Sequence, residues 1–360
     1  MNSWKRLSNN PDTFFYNVWY LEGYENSSNI YLLEGDYLTL IDTGNDYTAF
    51  FELFEIYKPE NIKKVFLTHS HNDHTLGLFE LIRSYKTFDE FEVILHKAFA
   101  DNLKDNIRKF DKNFKVTPVL GGERVNLSGF DFEVIHTPGH TIDSLCLYHK
   151  ESKTLFSGDA VSIHPIVDER VGGSLTNFIY SLRILQRREI KNILPGHTLP
   201  AFSIGEGILK KAYKNAIYFF DSEKTGLELA IELTKVGLLD EAIVVIDDYV
   251  KQVDEEERIN ALGLKASILA DMGRYDESIE IFNQIESKNP TATYSKGMVY
   301  LRMEKYREAL DCFNEFLKIN PNDKRAKLGK GLALYKLGKI EDALGIEEFN
   351  EFYKAIEKGY

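Results

Sequence analysis

Hydrophobic and polar positions follow two different patterns along the chain, and the change falls near residue 224. Before it, short apolar runs alternate with polar turns that contain glycine, which is typical of buried strands joined by loops. After it, strand signals end and apolar residues recur at helical spacing. We therefore expect a mixed domain of strands and helices over residues 1–221 and an all-helical domain over residues 222–360.

Within the first domain, strands and helices mix without strict alternation. Strands are predicted at residues 14–21, 30–33, 37–41, 64–67 and 93–95, through much of 115–149, and in a hairpin of 145–148 with 154–156. Helices are predicted at residues 46–57, 174–187 and 205–221, and after Asp73 with Leu78, Leu81, Ile82 and Tyr85 on one face. Two sheets covered by helices fit this order better than a doubly wound parallel sheet.

Four side chains that can bind a metal ion lie close together in the segment Thr68-His69-Ser70-His71-Asn72-Asp73-His74. It holds three of the nine histidines of the chain and one carboxylate, directly after a predicted buried strand. A strand-to-helix turn lets such side chains converge on one point. Imidazole nitrogens and carboxylate oxygens are ligands that suit zinc, iron or manganese.

Three further motifs supply single donors downstream, namely His140, Asp159 and His197. Each follows an apolar strand-like run and has a glycine beside it, which allows a sharp turn where a ligand must approach closely. Seven donors are too many for one tetrahedral ion. They suffice for two ions, about 4 Å apart, that share a hydroxide as a nucleophile at neutral pH.

This order of motifs resembles the metallo-β-lactamase fold superfamily over roughly residues 13–220, in its small-hydrolase, glyoxalase II-like branch. The resemblance implies an αββα sandwich and a metal-bridging hydroxide that attacks a small ester, thioester or lactone. It implies that Asp73 is catalytic, because it can orient the hydroxide or pass a proton to the leaving group. It also distributes the donors: His69, His71 and His140 on one ion, Asp73, His74 and His197 on the other, and Asp159 between them.

Three residues outside the donor set have two open interpretations each. Asp42 either holds a ligand histidine by its other ring nitrogen or caps the turn Asp42-Thr43-Gly44. His164, in the loop after Asp159, and Tyr180, in the predicted helix before His197, either contact substrate or serve as a structural histidine and a core tyrosine. His96, His136 and His149 are expected outside the metal site.

The second domain contains an internal repeat. Segments that begin at Gly237, Gly273, Glu304 and Gly338 echo one another, and the equivalent positions Leu239, Tyr275, Tyr306 and Ile340 are 36, 31 and 34 residues apart. A period near 34 with paired helices resembles tetratricopeptide repeats, about four in number. The third unit fits best, with Gly297, Tyr300, Ala309, Phe313 and Pro321 at the expected small, aromatic and proline positions.

The fourth unit departs from this pattern, because Phe349-Asn350-Glu351-Phe352 echoes Phe313-Asn314-Glu315-Phe316 two residues late. We therefore expect a shifted last helix that caps the array. Such a domain implies a concave surface for a protein or peptide partner. The alternative is a module that dimerises the chain or packs on the catalytic domain.

Composition narrows the classes of partner and compartment. The net charge of −12, from 44 basic and 56 acidic residues, argues against nucleic-acid binding, which needs basic surface. No apolar run approaches the length of about 20 residues that a membrane helix needs, and the N-terminus lacks a signal-peptide core. Two cysteines, Cys146 and Cys312, cannot form a disulfide framework, so a reducing cytoplasm is the expected setting.

Three functions are compatible with these features. The first is a metal hydrolase that holds two divalent ions, zinc as first choice and iron or manganese as alternatives, and acts on a small-molecule substrate. The second is an iron-dependent oxidoreductase of the same fold, such as a sulfur dioxygenase or a flavodiiron-type enzyme. The flavodiiron version is disfavoured, because His71 stands where those enzymes usually carry glutamate and helical repeats replace the flavin domain. The third is a non-catalytic scaffold that works through its repeats.

Overall fold

The protein is described by a computed structural model that covers residues 3–45, 48–84, 91–108 and 114–357. The predicted helix positions 46 and 47, and Tyr85, lie outside the described residues. The chain folds into two compact units, Met1–Phe220 and Asp221–Tyr360. Within the described ranges, we find no helix with the length and apolar character that a membrane crossing requires.

The larger sheet of the first unit follows the order of the sequence. Its described strands are β1 (Lys5–Arg6), β2 (Val18–Leu21), β3 (Ile30–Glu34), β4 (Leu38–Ile41), β5 (Ile62–Phe66), β6 (Glu92–His96) and β7 (Lys115–Val119). Strands β1 to β4 pair antiparallel, and β4 to β7 pair parallel. The predicted strand at 14–21 is shorter than expected, because Phe14–Asn17 forms a 3-10 helix.

The smaller sheet has the order β12-β11-β10-β9-β8. Its strands are β8 (Arg124–Leu127), β9 (Phe130–His136), β10 (Leu145–His149), β11 (Thr154–Gly158) and β12 (Asn192–Pro195). Strands β11 and β12 pair parallel and the others antiparallel. The predicted hairpin of β10 and β11 is present, with Leu147 opposite Phe156.

Helices cover the outer faces of this sandwich. The first unit contains α1 (Thr48–Ile56), α2 (Asn72–Thr75), α3 (Gly77–Ser84), α4 (Lys97–Arg108), α5 (Leu175–Leu185) and α6 (Gly205–Phe219). Because neighbouring strand residues point to opposite faces, Leu32 packs against Phe50 and Leu81 under the helices, while Leu33 packs between the sheets with Phe132. The predicted fold class, an αββα sandwich followed by a helical repeat region, is confirmed.

The second unit is helical throughout its described part. Its helices are α7 (Gly226–Lys235), α8 (Leu239–Tyr249), α9 (Glu255–Asp271), α10 (Tyr275–Ile285), α11 (Thr291–Arg302), α12 (Tyr306–Ile319), α13 (Lys324–Lys336), α14 (Ile340–Leu344) and α15 (Glu347–Glu357). The four equivalent repeat positions, Leu239, Tyr275, Tyr306 and Ile340, are the first residues of α8, α10, α12 and α14. The repeat boundaries read from the sequence are therefore also helix boundaries.

Small residues let the repeat helices approach closely. A Cβ atom at Gly297 would lie 2.9 Å from Phe313, and one at Gly331 would lie 2.3 Å from Phe349. Phe349 therefore takes, in the fourth unit, the place against a glycine that Phe313 takes in the third. The break between α14 and α15, at Gly345, absorbs the two-residue delay, so the shift is a broken helix rather than a displaced one.

Each unit contains one buried cysteine. Cys146 lies in β10 and Cys312 in α12, and both are free thiols. Burial raises the pKa of Cys146 to about 12 and that of Cys312 to about 11. Neither thiol lies among the residues that could hold a metal ion in the described structure.

Candidate metal centre

The predicted donors lie in loops, and in the short helix α2, that follow the carboxyl ends of strands from both sheets. His69, His71, Asp73 and His74 follow β5, His140 follows β9, Asp159 follows β11 and His197 follows β12. A hydrogen bond of 2.8 Å from the Leu145 amide to the Thr68 carbonyl joins the two sheets at this edge. The structure brings all seven side chains together, in overlapping groups of three whose ligand atoms lie within 4.8 Å of one another.

The first group is formed by His69, His71 and His140. Nδ1 of His71 lies 3.1 Å from Nε2 of His69 and 2.9 Å from Nε2 of His140. Nδ1 of His140 donates to the Ile166 carbonyl at 2.9 Å, which leaves Nε2 with a free lone pair. Burial lowers the pKa of both His69 and His140, so their rings stay neutral, as metal ligands must be.

The second group is formed by Asp73, His74 and His197. Oδ2 of Asp73 lies 3.0 Å from Nε2 of His197 and 3.6 Å from Nε2 of His74. Burial alone would raise the pKa of Asp73, but the His197 hydrogen bond and the nearby His74 hold it below its usual value. The same hydrogen bond raises the pKa of His197.

Asp159 faces both groups. Its Oδ1 lies 3.5 Å from Nε2 of His74, and its Oδ2 lies 3.5 Å from Nε2 of both His140 and His197. Burial would raise the pKa of this carboxyl, but His74, His69 and His197 hold it far below its usual range. An ionised carboxylate whose oxygens face ring nitrogens of both groups is suited to contact two cations at once.

Asp42 orients His74. Its Oδ2 lies 2.7 Å from Nδ1 of His74, and its carboxylate also accepts hydrogen bonds of 2.8 Å from the amide and the hydroxyl of Thr68. This geometry fits the interpretation that Asp42 holds a ligand histidine rather than that of a turn cap. Burial would lower the pKa of His74, but Asp42 and Asp159 raise it well above its usual value. The same carboxylates would attract a metal cation.

These observations fit a pair of divalent ions. Nε2 of His74 is buried and has no hydrogen-bond partner among the described residues, although it points at Asp73 and Asp159. A Cβ atom at Gly196 would lie 2.4 Å from Asp159 and 2.6 Å from His74, so only glycine leaves room for the donors to converge. Nitrogen and oxygen donors without thiolate suit zinc, iron or manganese.

A cleft of about 320 Å³ opens beside Asp159 and His197. The exposed His164 lines this cleft. Tyr180 is not among its lining residues in the described structure; the residue is 46% exposed, and its ring centroid lies 5.2 Å from Cζ of Arg183. The alternative that Tyr180 packs in the core is therefore wrong.

The remaining histidines lie outside the donor groups of the described structure. His96 stacks on His136 with ring centroids 4.5 Å apart, and His149 stacks on Phe14 at 4.1 Å. Asp168 was not predicted, yet its Oδ2 lies 3.3 Å from Nε2 of His71. Its place in the loop after Asp159 was the one available signal, because nothing in the sequence shows how that loop folds back.

Residues 23–197 match the sequence profile of the metallo-beta-lactamase superfamily. Residues 294–356 match a tetratricopeptide repeat, and residues 235–316 match anaphase-promoting complex, cyclosome, subunit 3. Both matches to repeats fall in the second unit, and the superfamily match spans all seven donors.

Several curated proteins are similar to part of this chain. An atrochrysone carboxyl ACP thioesterase of Paecilomyces divaricatus is 29% identical over 174 residues, which cover 47% of this chain and 50% of that protein. An acyl-coenzyme A thioesterase of Homo sapiens is 28% identical over 153 residues, 36% of this chain and 54% of that protein. A probable metallo-hydrolase of Bacillus subtilis is 28% identical over 232 residues, 51% and 70%. The chain spans about half the length of the two thioesterases.

Proposed function

We propose that the chain is a metal-dependent hydrolase of acyl thioesters, because residues 23–197 match the metallo-β-lactamase superfamily and residues 294–356 match a tetratricopeptide repeat. The observation that carries the proposal is the convergence of five imidazole and two carboxylate side chains, with Asp159 facing both groups of three. Two relatives that are named thioesterases support the choice of thioesters over other esters and lactones.

His69, His71 and His140 would hold one ion, Asp73, His74 and His197 the other, and Asp159 would contact both. We propose zinc for both ions, with iron or manganese as alternatives. When bound, two divalent ions lower the pKa of a water molecule and polarise the substrate carbonyl. The relatives named as hydrolases favour this function over the iron-dependent oxidoreductase and the scaffold.

Residues of the chain would supply proton transfer and hold the histidine rings in place. Asp73 stays ionised beside His197 and His74, so it can accept a proton from the attacking water. The new carbon–oxygen bond replaces the carbon–sulfur bond, and the proton passes to the departing thiolate to give a free thiol. Asp42 fixes the His74 ring, and the Ile166 carbonyl fixes the His140 ring.

The direct test is thiol release from acyl-coenzyme A by purified chain loaded with zinc, iron(II) or manganese. Asp73→Asn is expected to lower kcat by about 10²- to 10⁴-fold, the usual contribution of a positioned general base. Asp12→Asn, an exposed carboxylate exchanged in the same way, is the matched control and should retain activity.

Carboxyl esters, lactones and a phosphodiester complete the substrate panel. A chain that holds two equivalents of metal and releases no thiol from any thioester would contradict the proposal. Oxygen consumption with a persulfide substrate would instead indicate the oxidoreductase.

We further propose that the helical unit binds a protein or peptide partner and that the protein acts in the cytoplasm. The tetratricopeptide match supports the first of these. Fractionation of cells that produce the chain, followed by cross-linking with and without residues 222–360, tests both. Cross-linked partners that persist without those residues would contradict a role for the repeats.

A further inference from the structure

The cleft beside Asp159 and His197 is apolar along most of its lining. We propose that it binds the acyl chain of the substrate and selects chains of short to medium length; this inference rests on the proposed function. Its polar lining consists of the two residues from the metal centre together with Ser162, His164 and Thr198. Its apolar lining includes the following side chains: Val161, Ile163, Ile166, Ile193, Ala201 and Ile208.

The mostly apolar lining disfavours polar acyl groups. A hydroxyl or carboxylate buried against branched aliphatic side chains would lose its hydrogen bonds to water, which is costly without a compensating partner. A hydrocarbon chain has no such cost and gains from leaving water. Because Asp159 and His197 belong to the donor cluster, a chain in the cleft would place its carbonyl carbon beside the predicted ions.

The size of the cleft sets the expected chain length. About 320 Å³ lies near the lower limit of ligand pockets, which run from about 300 to 1,000 Å³. Ile166 and Leu199, 56% and 64% exposed, both line the cleft, so they lie where it meets solvent. An acyl chain longer than the cleft must extend past such exposed side chains into solvent. Each further methylene then adds less binding free energy.

Ile208, on α6, is partly buried in the cleft lining and can set its depth. Ile208→Trp would fill space that the acyl chain needs, and Ile208→Ala would enlarge it. The matched control is Ile56→Trp, the same exchange at a 49% exposed position at the end of α1 that does not line the cleft.

The experiment measures kcat/KM for acyl-coenzyme A substrates from acetyl to palmitoyl. In the wild-type protein, kcat/KM should rise about three- to four-fold with each added methylene while the acyl chain stays in the cleft, and should then level off. Ile208→Trp should lower kcat/KM for octanoyl-coenzyme A at least ten-fold and leave acetyl-coenzyme A within two-fold. Ile208→Ala should move the plateau to longer chains, and Ile56→Trp should match wild type.

Binding of S-hexyl-coenzyme A, a thioether that cannot be hydrolysed, separates the two proposals. If calorimetry shows binding that weakens in Ile208→Trp, the acyl cleft is supported even when no thioester is turned over. The absence of turnover would contradict the proposed function alone. Thioester hydrolysis with no dependence on chain length, or Ile208 variants that change all chains equally, would overturn the cleft assignment and leave the hydrolase standing.

The loop of residues 166–173 contacts two histidines of the first donor group, independently of the cleft. From these contacts we infer that Asp168 is a positioning residue for His71. Oδ2 of Asp168 lies 3.3 Å from Nε2 of His71, and the Asp168 amide donates to the His140 carbonyl at 2.9 Å. The Ile166 carbonyl accepts from Nδ1 of His140.

The two nitrogens of His71 have different surroundings. Nδ1 faces His69 and His140, whereas Nε2 is buried and has no hydrogen-bond partner among the described residues. A cation on Nδ1 would fix the ring proton on Nε2, where Asp168 is the nearby acceptor. Arg170 holds that carboxylate in a bidentate contact, with Nε 2.9 Å from Oδ1 and Nη2 2.7 Å from Oδ2.

The test is zinc titration of metal-free protein against a chromophoric chelator. Asp168→Asn should weaken one of two sites about 10- to 100-fold and leave the other unchanged, with Asp168→Glu restoring part of the affinity. Glu169→Gln, at the exposed neighbouring position, is the control. Arg170→Ala, which leaves the carboxylate in place but frees it, should weaken the same site less.

Two zinc sites of wild-type affinity in Asp168→Asn would overturn the assignment. Equal weakening of both sites would also overturn it, because it would indicate a general structural role. If Asp168→Asn does not fold, an unchanged first site in Arg170→Ala would count against the inference.

Discussion

Asp42 shows how a single backbone conformation serves the metal centre. The residue has a φ of +58°, in the left-handed region that few residues other than glycine, asparagine and aspartate occupy. It is buried, and its carboxylate accepts from Thr68 while it holds Nδ1 of His74. The short side chain and the unusual φ together direct the carboxylate under the histidine ring.

Asp42→Asn is therefore expected to weaken zinc binding about 10- to 100-fold, because asparagine tolerates the same φ but lacks the negative charge. Titration of metal-free protein with zinc measures the effect. Asp36→Asn, in the exposed turn of the same β3–β4 hairpin, should bind zinc like wild type. Wild-type affinity in Asp42→Asn would show that the charge is not needed.

His149 gives a prediction on pH and stability away from the metal. Burial lowers its pKa, and its ring stacks on Phe14. In the unfolded chain a histidine binds its proton near pH 6.5, so below neutral pH the unfolded state binds more protons than the folded state. The contribution of His149 to stability is thus complete above about pH 7.5, begins to fall near pH 6.5 and is lost as the pH falls through the lower pKa of the folded state.

His149→Phe keeps the stacked ring and removes the titration. We expect its free energy of unfolding to fall less between pH 7.5 and 5 than that of wild type, with a chelator present in both samples. Urea denaturation at several pH values measures the difference. Equal slopes for the two proteins would assign the pH dependence to other groups.

Among elements, the repeat helices were the most predictable, because each of the four echoed segments marks the start of a helix. The sandwich was predictable from its apolar runs, although Phe14–Asn17 became a 3-10 helix rather than the start of β2. In the sequence, the break at Gly345 appeared only as a two-residue delay of the repeated segment at Phe349. The sequence alone does not show that Phe349 packs against Gly331.

Two helix glycines make a matched pair for testing that packing. Gly331→Ala in α13 would place a Cβ 2.3 Å from Phe349 and should destabilise the helical unit by about 1–3 kcal/mol through overpacking. Gly263→Ala in α9 meets only Ile285 at 3.7 Å and should stabilise it by about 0.5–1 kcal/mol, because alanine favours a helix. Thermal unfolding of the two variants should change in opposite directions, and a shared direction would contradict this account.

For the whole molecule, each of the two units has buried cores of its own. We expect calorimetry of the full chain to show two transitions, of which zinc raises only one. At 100 times its dissociation constant, each bound zinc ion adds about 2.7 kcal/mol to the first unit, or about 5–10 °C in Tm. A chelator should reverse the shift, and movement of both transitions would contradict a metal centre confined to residues 1–220.

Prediction from sequence was limited at this scale by loops. The motifs predicted the candidate donors because glycine and histidine spacing is local, and the structure brings those side chains together. The acyl cleft, Asp168 and the Ile166 carbonyl depend on how residues 161–175 fold back over the site, which no local pattern specifies. For the same reason the position of Tyr180 relative to the cleft could not be derived from the sequence.

The pair of concealed sulfhydryls, Cys146 and Cys312, has a practical consequence. An aromatic disulfide reagent reacts only with an exposed, ionised sulfur, and burial disfavours both conditions. The folded protein should therefore contribute no background colour to an assay that counts liberated coenzyme A. Slow colour development without substrate would instead measure the rate at which the two units open, because each unit contains one buried cysteine that reacts only after opening.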